Sequence, residues 1–563
     1  MKETEITSSD LDDMKTEIKT FEYFPLISII TPVYNVDGIW LEKAVDSVIG
    51  QVYENWELCL IDDVSTRPHV KEILGGYRKK DSRIKVKFLE KNLGISGASN
   101  EALALASGDF IGLLDHDDVL SHDALFEVVR LLQEHPDADM IYSDEDHISM
   151  KDKRFDPFFK PDWSPDLFLS TMYTCHFGVY RRSLIEDIGG FRKGLEGSQD
   201  YDLVLRFTEK TDKIYHIPKI LYHWRNIPGS TAVRYEAKGY ADVSARKALD
   251  DALKRRRIDG EVLSGKFPGF FRIKRKVLGN PKVSIIIYGG DCQGILRTCI
   301  ESIQEKTEYD NYEIIVIDNN GKDVRTQEYL GSISNKLRIK TLIYEKSSYF
   351  SILNNFAVQN SNGDYLLFLD ADTEVISEEW LTAMLEQAQS KEIGVVGCKL
   401  LNKNDTIQHA GLILGSDEIG GYTDDEIIVY SHRRFPEAAH GYFGRPHLIH
   451  NLSAVTTACM MVRRDIFEDI GGFDENLIGS FSDIDLCLTV RKKGYMIVYT
   501  PYAVLYHYES PGECHQRLEK YDKRSKDFAY INAKWSSIIS RGDPYYNPNL
   551  KVKGGDFTIR TRS

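Results

Sequence analysis

From about residue 26 the chain alternates between short apolar, β-branched runs and amphipathic stretches. Leu26 to Ile30, Glu57 to Ile61, Ile84 to Leu89 and Phe110 to Leu114 have the length and composition of buried strands. Leu41 to Ile49 and Ala98 to Ala106 carry apolar residues at helical spacing. This order predicts an α/β domain, Rossmann-like, with a mostly parallel sheet and helices on both faces. In such sheets ligands bind beyond the carboxyl ends of the strands. Asp62-Asp63 and Asp115-His116-Asp117-Asp118 each fall just past an apolar run, so both are expected in one cleft.

The pattern then returns. Ser28 recurs as Ser284, Asp62 as Asp318 and Asp115 as Asp370, at offsets of 256, 256 and 255. A near-constant offset means two copies of one domain. Asp200 to Asp483 is 283 and His223 to His507 is 284, so the second copy carries an insertion of about thirty residues after its acidic motif. In that copy Ile314 to Ile317 leads to Asp318 and Tyr365 to Leu369 leads to Asp370. Helices are expected from near Gly294 and over Glu378 to Gln389. The expected organisation is a polar leader with a short helix over 1–25, a first domain over 26–250, a basic linker over 251–280, and a second domain with a C-terminal extension over 281–563.

Composition narrows the class. At 42% hydrophobic and 28% charged, the 563 residues are those of an ordinary soluble protein. A net charge of −15 argues against nucleic acid as a partner, because neutralising phosphates needs a basic face. Two basic clusters, Lys254-Arg255-Arg256-Arg257 and Arg272-Ile273-Lys274-Arg275-Lys276, read either as solvated linker surface or as contacts for anionic lipid headgroups. The eight cysteines include no Cys-x-x-Cys pair, which suits a reducing compartment. Met1 to Asp13 is too acidic for a signal peptide, and no run reaches the length of a membrane span. The expected location is the cytoplasm, with peripheral contact on the inner face of the cell membrane as an addition.

The candidate chemistry lies in the repeated acids. Two carboxylates one residue apart on a turn after a buried strand present hard oxygen ligands to Mn²⁺ or Mg²⁺ bridging a diphosphate. A lone pair of this kind is usually a solvated turn, but here it recurs at matched phase as Asp115 with Asp117 and Asp370 with Asp372. Neither a Gly-x-Gly-x-x-Gly after the first strand nor a P-loop is present, so metal and side chains must hold the diphosphate. Asp200-Tyr201-Asp202 and Asp483-Ile484-Asp485 each open an apparent helix. Such acids serve either as dipole-complementing caps or as a general base at the cleft rim, and the sequence leaves open which aspartate of each pair acts. His223 and His507, again at matched phase, are expected as metal ligands or diphosphate contacts.

Ser28-Ile29-Ile30-Thr31-Pro32-Val33-Tyr34-Asn35, Leu114-Asp115-His116-Asp117-Asp118, Gly197-Ser198-Gln199-Asp200-Tyr201-Asp202 and Tyr222-His223-Trp224-Arg225 resemble the inverting family 2 glycosyltransferases of GT-A fold. The likeness is to tandem members of bacterial surface-polysaccharide and O-antigen assembly, often rhamnosyltransferases. It extends over Tyr142 to Asp146, Phe159 to Asp166, Gln408 to Gly411, Ser453 to Cys459, Gly471 to Asp474 and Asp543 to Pro548. The resemblance implies two tandem GT-A domains and a nucleotide-sugar pocket that includes Thr31, Pro32, Tyr34 and Arg225. It implies that Asp63 contacts the base, Asp115 the ribose or sugar, Asp117 the metal, that Asp200 is the base catalyst and that His223 assists the metal. Asp318, Asp370, Asp372, Asp483 and His507 take the matching places. The second copy departs from the pattern at Tyr288-Gly289-Gly290-Asp291 and at Asn319, which stands where the first has Asp63. These departures bear on its nucleotide preference and not on its metal site.

The implied reaction moves a sugar with inversion from a nucleotide-diphosphate donor, such as dTDP-rhamnose or a UDP-hexose, to a lipid-linked or protein-linked glycan. Two alternatives stand beside it. A glycoside hydrolase also uses paired carboxylates but has no need of a metal-diphosphate site. A catalytic first copy with a second copy that only binds acceptor would suit the departures at Tyr288 and Asn319.

Overall fold

The computed structural model describes residues 6–227, 239–288, 293–318, 324–333, 338–346, 349–415, 428–478, 480–508 and 517–560. They form two units, one running to Trp163 and including Thr171–Phe271, the other made of Ser164–Ser170 and Arg272–Ser563.

In the first unit a leader helix α1 (Ser8–Ile18) precedes β1 (Ile27–Val33), α2 (Gly38–Ile49), β2 (Trp56–Asp62), α3 (Pro68–Lys80), β3 (Ile84–Phe88), α4 (Gly94–Leu105) and β4 (Phe110–Leu113). These are the alternating runs of the sequence, and β3-β2-β1 with β4 is the parallel half of the sheet. The other half adds β5 (Val119–Leu120), α5 (Ala124–Glu134), β6 (Met140–Ser149) and β7 (Arg154–Phe158). A short α6 (Pro165–Ser170) belongs to the other unit and is followed by β8 (Gly178–Arg181), α7 (Arg182–Asp187), α8 (Gln199–Phe207) and β9 (Ile214–Asn226). The strand order is β3-β2-β1-β4-β8-β6-β9-β5, with β7 on β6. Within residues 251–280 lie the end of α9 (Gly239–Arg256), β10 (Gly260–Ser264) and β11 (Phe271–Arg275).

The second unit repeats this as β12 (Val283–Tyr288), α10 (Gln293–Lys306), β13 (Tyr312–Asp318), α11 (Val324–Ile333), β14 (Ile339–Ile343), α12 (Phe350–Gln359), β15 (Tyr365–Leu369), β16 (Thr373–Val375), α13 (Trp380–Ala388) and β17 (Ile393–Leu401). β18 (Ile407–His409) pairs β17 as β7 pairs β6, and the insertion follows with β19 (Leu412–Leu414), β20 (Ile428–Tyr430), a 3₁₀ turn over Tyr442–His447 and β21 (His450–Leu452). Then β22 (Cys459–Arg463), α14 (Arg464–Asp469), α15 (Ser482–Lys492), β23 (Met496–His507) and α16 (Arg517–Ile539) complete the unit. The order β14-β13-β12-β15-β22-β17-β23-β16 matches the first unit strand for strand. The C-terminal extension closes on the insertion, where Asp543 accepts from the Leu414 amide at 2.9 Å and the Ser453 hydroxyl at 2.7 Å.

One buried polar clamp recurs at the start of both sheets. Ser28 Oγ donates to Glu57 at 2.6 Å and accepts the Gly108 amide at 2.9 Å. Ser284 Oγ does the same with Glu313 at 2.7 Å and Gly363 at 2.8 Å. A Cβ on Gly108 or Gly363 would stand 2.6 Å from that hydroxyl, so the close approach requires glycine. Burial alone would raise the Glu57 carboxyl, but the Lys85 ammonium and hydrogen bonds from Ser107 and Ser28 outweigh it and hold it down at about 2. A depressed carboxylate adds stability that is complete above its ordinary value near 4.5 and is lost as pH falls toward 2. Glu57→Gln is therefore expected to cost about 1–3 kcal/mol near neutral pH. Urea unfolding checks it, and the difference from wild type should shrink toward zero in strong acid.

Much of the junction's basic charge is neutralised within its own unit. Arg255 and Arg256 pair with Glu209, while Arg272 lies 2.7 Å from Glu379 and 3.1 Å from Glu386. Arg275 reaches Gln387 and, at 3.3 Å, Asp166 of α6. Asp166 in turn accepts from Asn451 of β21 at 2.8 Å. Among the described residues no helix is long and apolar enough to cross a membrane.

Candidate functional site

In the second unit β15 delivers Asp370 beyond the sheet, and the turn to β16 carries Asp372. His507, at the end of β23, lies opposite Thr373. Its Nε2 is 3.1 Å from Asp372 and 3.7 Å from Asp370. Among the described residues these three form the one group whose ligand atoms all lie within 4.8 Å of one another in a way that suits a metal ion. Two carboxylates and an imidazole fit Mn²⁺ or Mg²⁺ in donor type, the nitrogen favouring the transition metal. The acidic turn is pinned by the Asp370 amide donating to Ala458 O at 3.1 Å and by Thr373 Oγ1 donating to Asp370 O at 2.8 Å. Asp318 ends β13, buried, and accepts from Gln327 at 2.5 Å. Asn319 and Gly289 to Asp291 lie outside the described residues.

The first unit wires the same motif differently. The Asp115 amide donates to Tyr222 Oη at 3.3 Å, and Tyr222 donates to the buried Asp118 at 2.5 Å. His223 lies opposite Val119, one residue further from the acidic motif than the Thr373 that faces His507. With that difference in register, Asp115, Asp117 and His223 do not form a compact trio like that of the second unit. His223 Nδ1 is held by Asp146 at 2.6 Å, which fixes the ring and leaves Nε2 for a ligand, as outer-sphere carboxylates do at metal sites. Asp146 was part of the sequence pattern, but its role appears only where β6 and β9 pair. Arg225 is fully buried: it donates to Asp117 O at 3.0 Å, contacts Asp152 at 3.0 Å and stacks over Trp40 at 4.5 Å, so it braces the acidic turn from behind.

Thr31 is buried within β1, and Pro32 O lies 3.0 Å from His116 Nδ1. Tyr34 is half-exposed just past that strand. Asp63, buried after β2, accepts the Leu93 amide at the start of α4 at 2.7 Å. Burial raises Asp117, with the charge of Asp115 adding to it against His116. Asp118 is pushed well up by burial and by both neighbours. Crowded carboxylates of this kind are what a divalent cation relieves.

Asp200 and Asp483 sit in the first turns of α8 and α15, where each accepts the next residue's amide, from Tyr201 at 2.8 Å and from Ile484 at 2.9 Å. Burial raises both. Asp483 reaches about 6, its neighbour Asp370 adding to the rise and amides from Ile484 and Thr457 opposing it. Asp200 is raised against the opposing His176, with Asp115 adding. Their companions are engaged elsewhere: Asp202 with Arg192 and Arg206, Asp485 with Trp535 at 2.7 Å and Lys534 at 2.8 Å. His176, which stacks on Tyr222 at 4.5 Å beneath this site, was not foreseen, since nothing in its local sequence marks it.

The family model described as "Glycosyl transferase family 2" matches residues 28–189 and again 283–471, once per unit and more than half of the chain together. The chain belongs to glycosyl transferase family 2. Its two matches cover β1 through the acidic motif to β8 in the first unit and β12 to β22 in the second, so both units are GT-A-like α/β domains of this family. An uncharacterized protein y4gI of Sinorhizobium fredii is 42% identical over 96% of this chain and 59% of its own length. The O-antigen biosynthesis protein RfbC of Myxococcus xanthus is 36% identical over 95% of this chain and 41% of its own. The chain thus spans about half the length of these curated relatives. A solved fragment of S. aureus TarS in complex with UDP-GlcNAc overlaps 40% of this chain and 66% of its own at 22% identity and a TM-score of 0.34. Within this glycosyl transferase family 2 chain, Asp370, Asp372 and His507 belong to the second copy, the one whose sequence departs from the first at Tyr288 to Asp291 and at Asn319.

Proposed function

We propose that both units are metal-dependent inverting glycosyltransferase sites, which move sugars from nucleotide-diphosphate donors to a growing bacterial surface glycan. The observation that carries this reading is the gathering of Asp370, Asp372 and His507 beyond β15, with Asp483 near enough to feel the charge of Asp370. The name of the Myxococcus relative supports a surface polysaccharide as the product. A glycoside hydrolase would leave the acidic trio without a task. The acceptor-binding reading of the second copy is disfavoured because that copy holds the compact ligand trio. A cytoplasmic location against a membrane carrying the acceptor completes the proposal.

In the proposed reaction Asp200 or Asp483 takes the proton of an acceptor hydroxyl. The oxygen attacks the anomeric carbon opposite the diphosphate, whose bond to that carbon breaks as the new one forms, giving inversion without a covalent intermediate. A divalent cation held by Asp372 and His507, or by Asp117 and His223, would neutralise the departing nucleoside diphosphate. Arg225 and Thr373 keep the acidic turns in place, and Asp146 keeps the His223 ring oriented.

Asp483 acts as a base only when ionised. In an Asp200→Asn variant the remaining transfer should therefore rise with pH through about 6. Adding Asp483→Asn should lower it by about 10²–10⁴. Initial rates across pH check both, and remaining transfer that survives Asp483→Asn would contradict the assignment.

A further inference from the structure

The segment just before β8, Thr174 to His176, and its counterpart before β22, Thr456 to Ala458, occupy the same place in the two sheets, beside the base catalyst and the acidic motif. The units hold it by different buried groups. In the first, Lys160 is fully buried and its ammonium donates to Thr174 O at 2.7 Å, to His176 O and to Ser143 O at 2.7 Å, while Glu145 accepts the His176 amide at 2.8 Å. In the second, β18, the counterpart of β7, supplies His409, also fully buried. Its Nδ1 lies 3.0 Å from Cys398 O, which makes Nδ1 the protonated nitrogen and leaves Nε2 to accept the Thr456 amide at 3.4 Å.

The held segment reaches the chemistry from both ends. Thr456 Oγ1 accepts the Ala458 amide at 3.2 Å, Ala458 O accepts the Asp370 amide at 3.1 Å, and the Thr457 amide stands near enough to the Asp483 carboxyl to oppose its rise. A displaced Thr456 would thus disturb the base and the first acid of the metal motif together. We infer that His409 is a positioning residue of the second site, where it takes over the task that Lys160 performs in the first. This inference rests on the reading that the second site is active.

The test compares His409→Phe, which keeps the ring volume without an acceptor, with His409→Gln, which restores one, both in the Asp200→Asn background. Loss of outer-sphere positioning predicts that His409→Phe lowers kcat of the second transfer by about 10- to 100-fold. The donor KM should stay within about twofold, because the interaction acts on the transition state, and His409→Gln should recover most of kcat. Amide hydrogen exchange gives an activity-independent readout: the peptide spanning residues 453–460 should exchange faster in His409→Phe than in wild type or His409→Gln. Unchanged exchange in His409→Phe, or equal loss of kcat in both variants, would overturn the inference. Absence of any second transfer in the Asp200→Asn parent would count against the two-site reading alone, with exchange still deciding the role of His409.

Discussion

Asp372→Ala is expected to remove one transfer step and leave the other running, and Asp117→Ala to do the reverse. Asp372 is the acid nearest His507, and no other described carboxylate joins that trio apart from Asp370. Lewis-acid stabilisation of a departing diphosphate is worth several kcal/mol, so each affected step should slow about a thousandfold, equivalent to roughly 4 kcal/mol. The folded units should be little affected, since neither side chain belongs to a core cluster and both lie on turns past the strands. Product analysis by mass spectrometry, with each variant supplied with donor and acceptor, separates the two steps. A single variant that silences both steps would mean one shared site.

The second large effect concerns stability. Arg272 is buried against Glu379 and Glu386 and lies 4.0 Å from the ring centre of Tyr502. Glu386 is almost fully buried, and burial already pushes it up to about 7 despite Arg272. Arg272→Ala leaves that carboxyl without its cation, and breaking a buried pair from one side costs about 3–5 kcal/mol. A carboxyl raised above its ordinary value of 4.5 is favoured in the fold while protonated, and that advantage is lost as pH rises through about 7. The loss in Arg272→Ala should therefore be larger above neutrality than in mild acid, and Glu386→Gln in the same chain should restore part of it. Thermal unfolding at two pH values checks this, and a variant as stable as wild type at both would refute it.

That arginine also shows where sequence reading stops. The strands and acidic turns are legible because their signal is local: a buried run of β-branched residues ending in Asp62, Asp115, Asp318 or Asp370 carries its own periodicity, and repetition removes coincidence. Arg272 and Arg275 look like linker charge because their partners, Glu386 and Asp166, are distant in sequence. The same holds for α6, whose residues lie in the first copy of the sequence and whose contacts lie in the second unit. Glu57 and Glu313 recur at the repeat offset and were within reach of a search for matched polar residues inside strands. The difference between the two acidic motifs was not within reach. It goes with a one-residue difference in where His223 and His507 meet the opposite strand, which sequence offsets place only to within that residue.

On the proposed function both copies transfer sugar. Its most direct test supplies a panel of nucleotide sugars with Mn²⁺ or Mg²⁺ to wild type, Asp117→Ala and Asp372→Ala, and counts the sugars added to a glycan acceptor. Two additions are expected for wild type, with the loss of a different one in each variant. Two additions surviving in Asp372→Ala would contradict it.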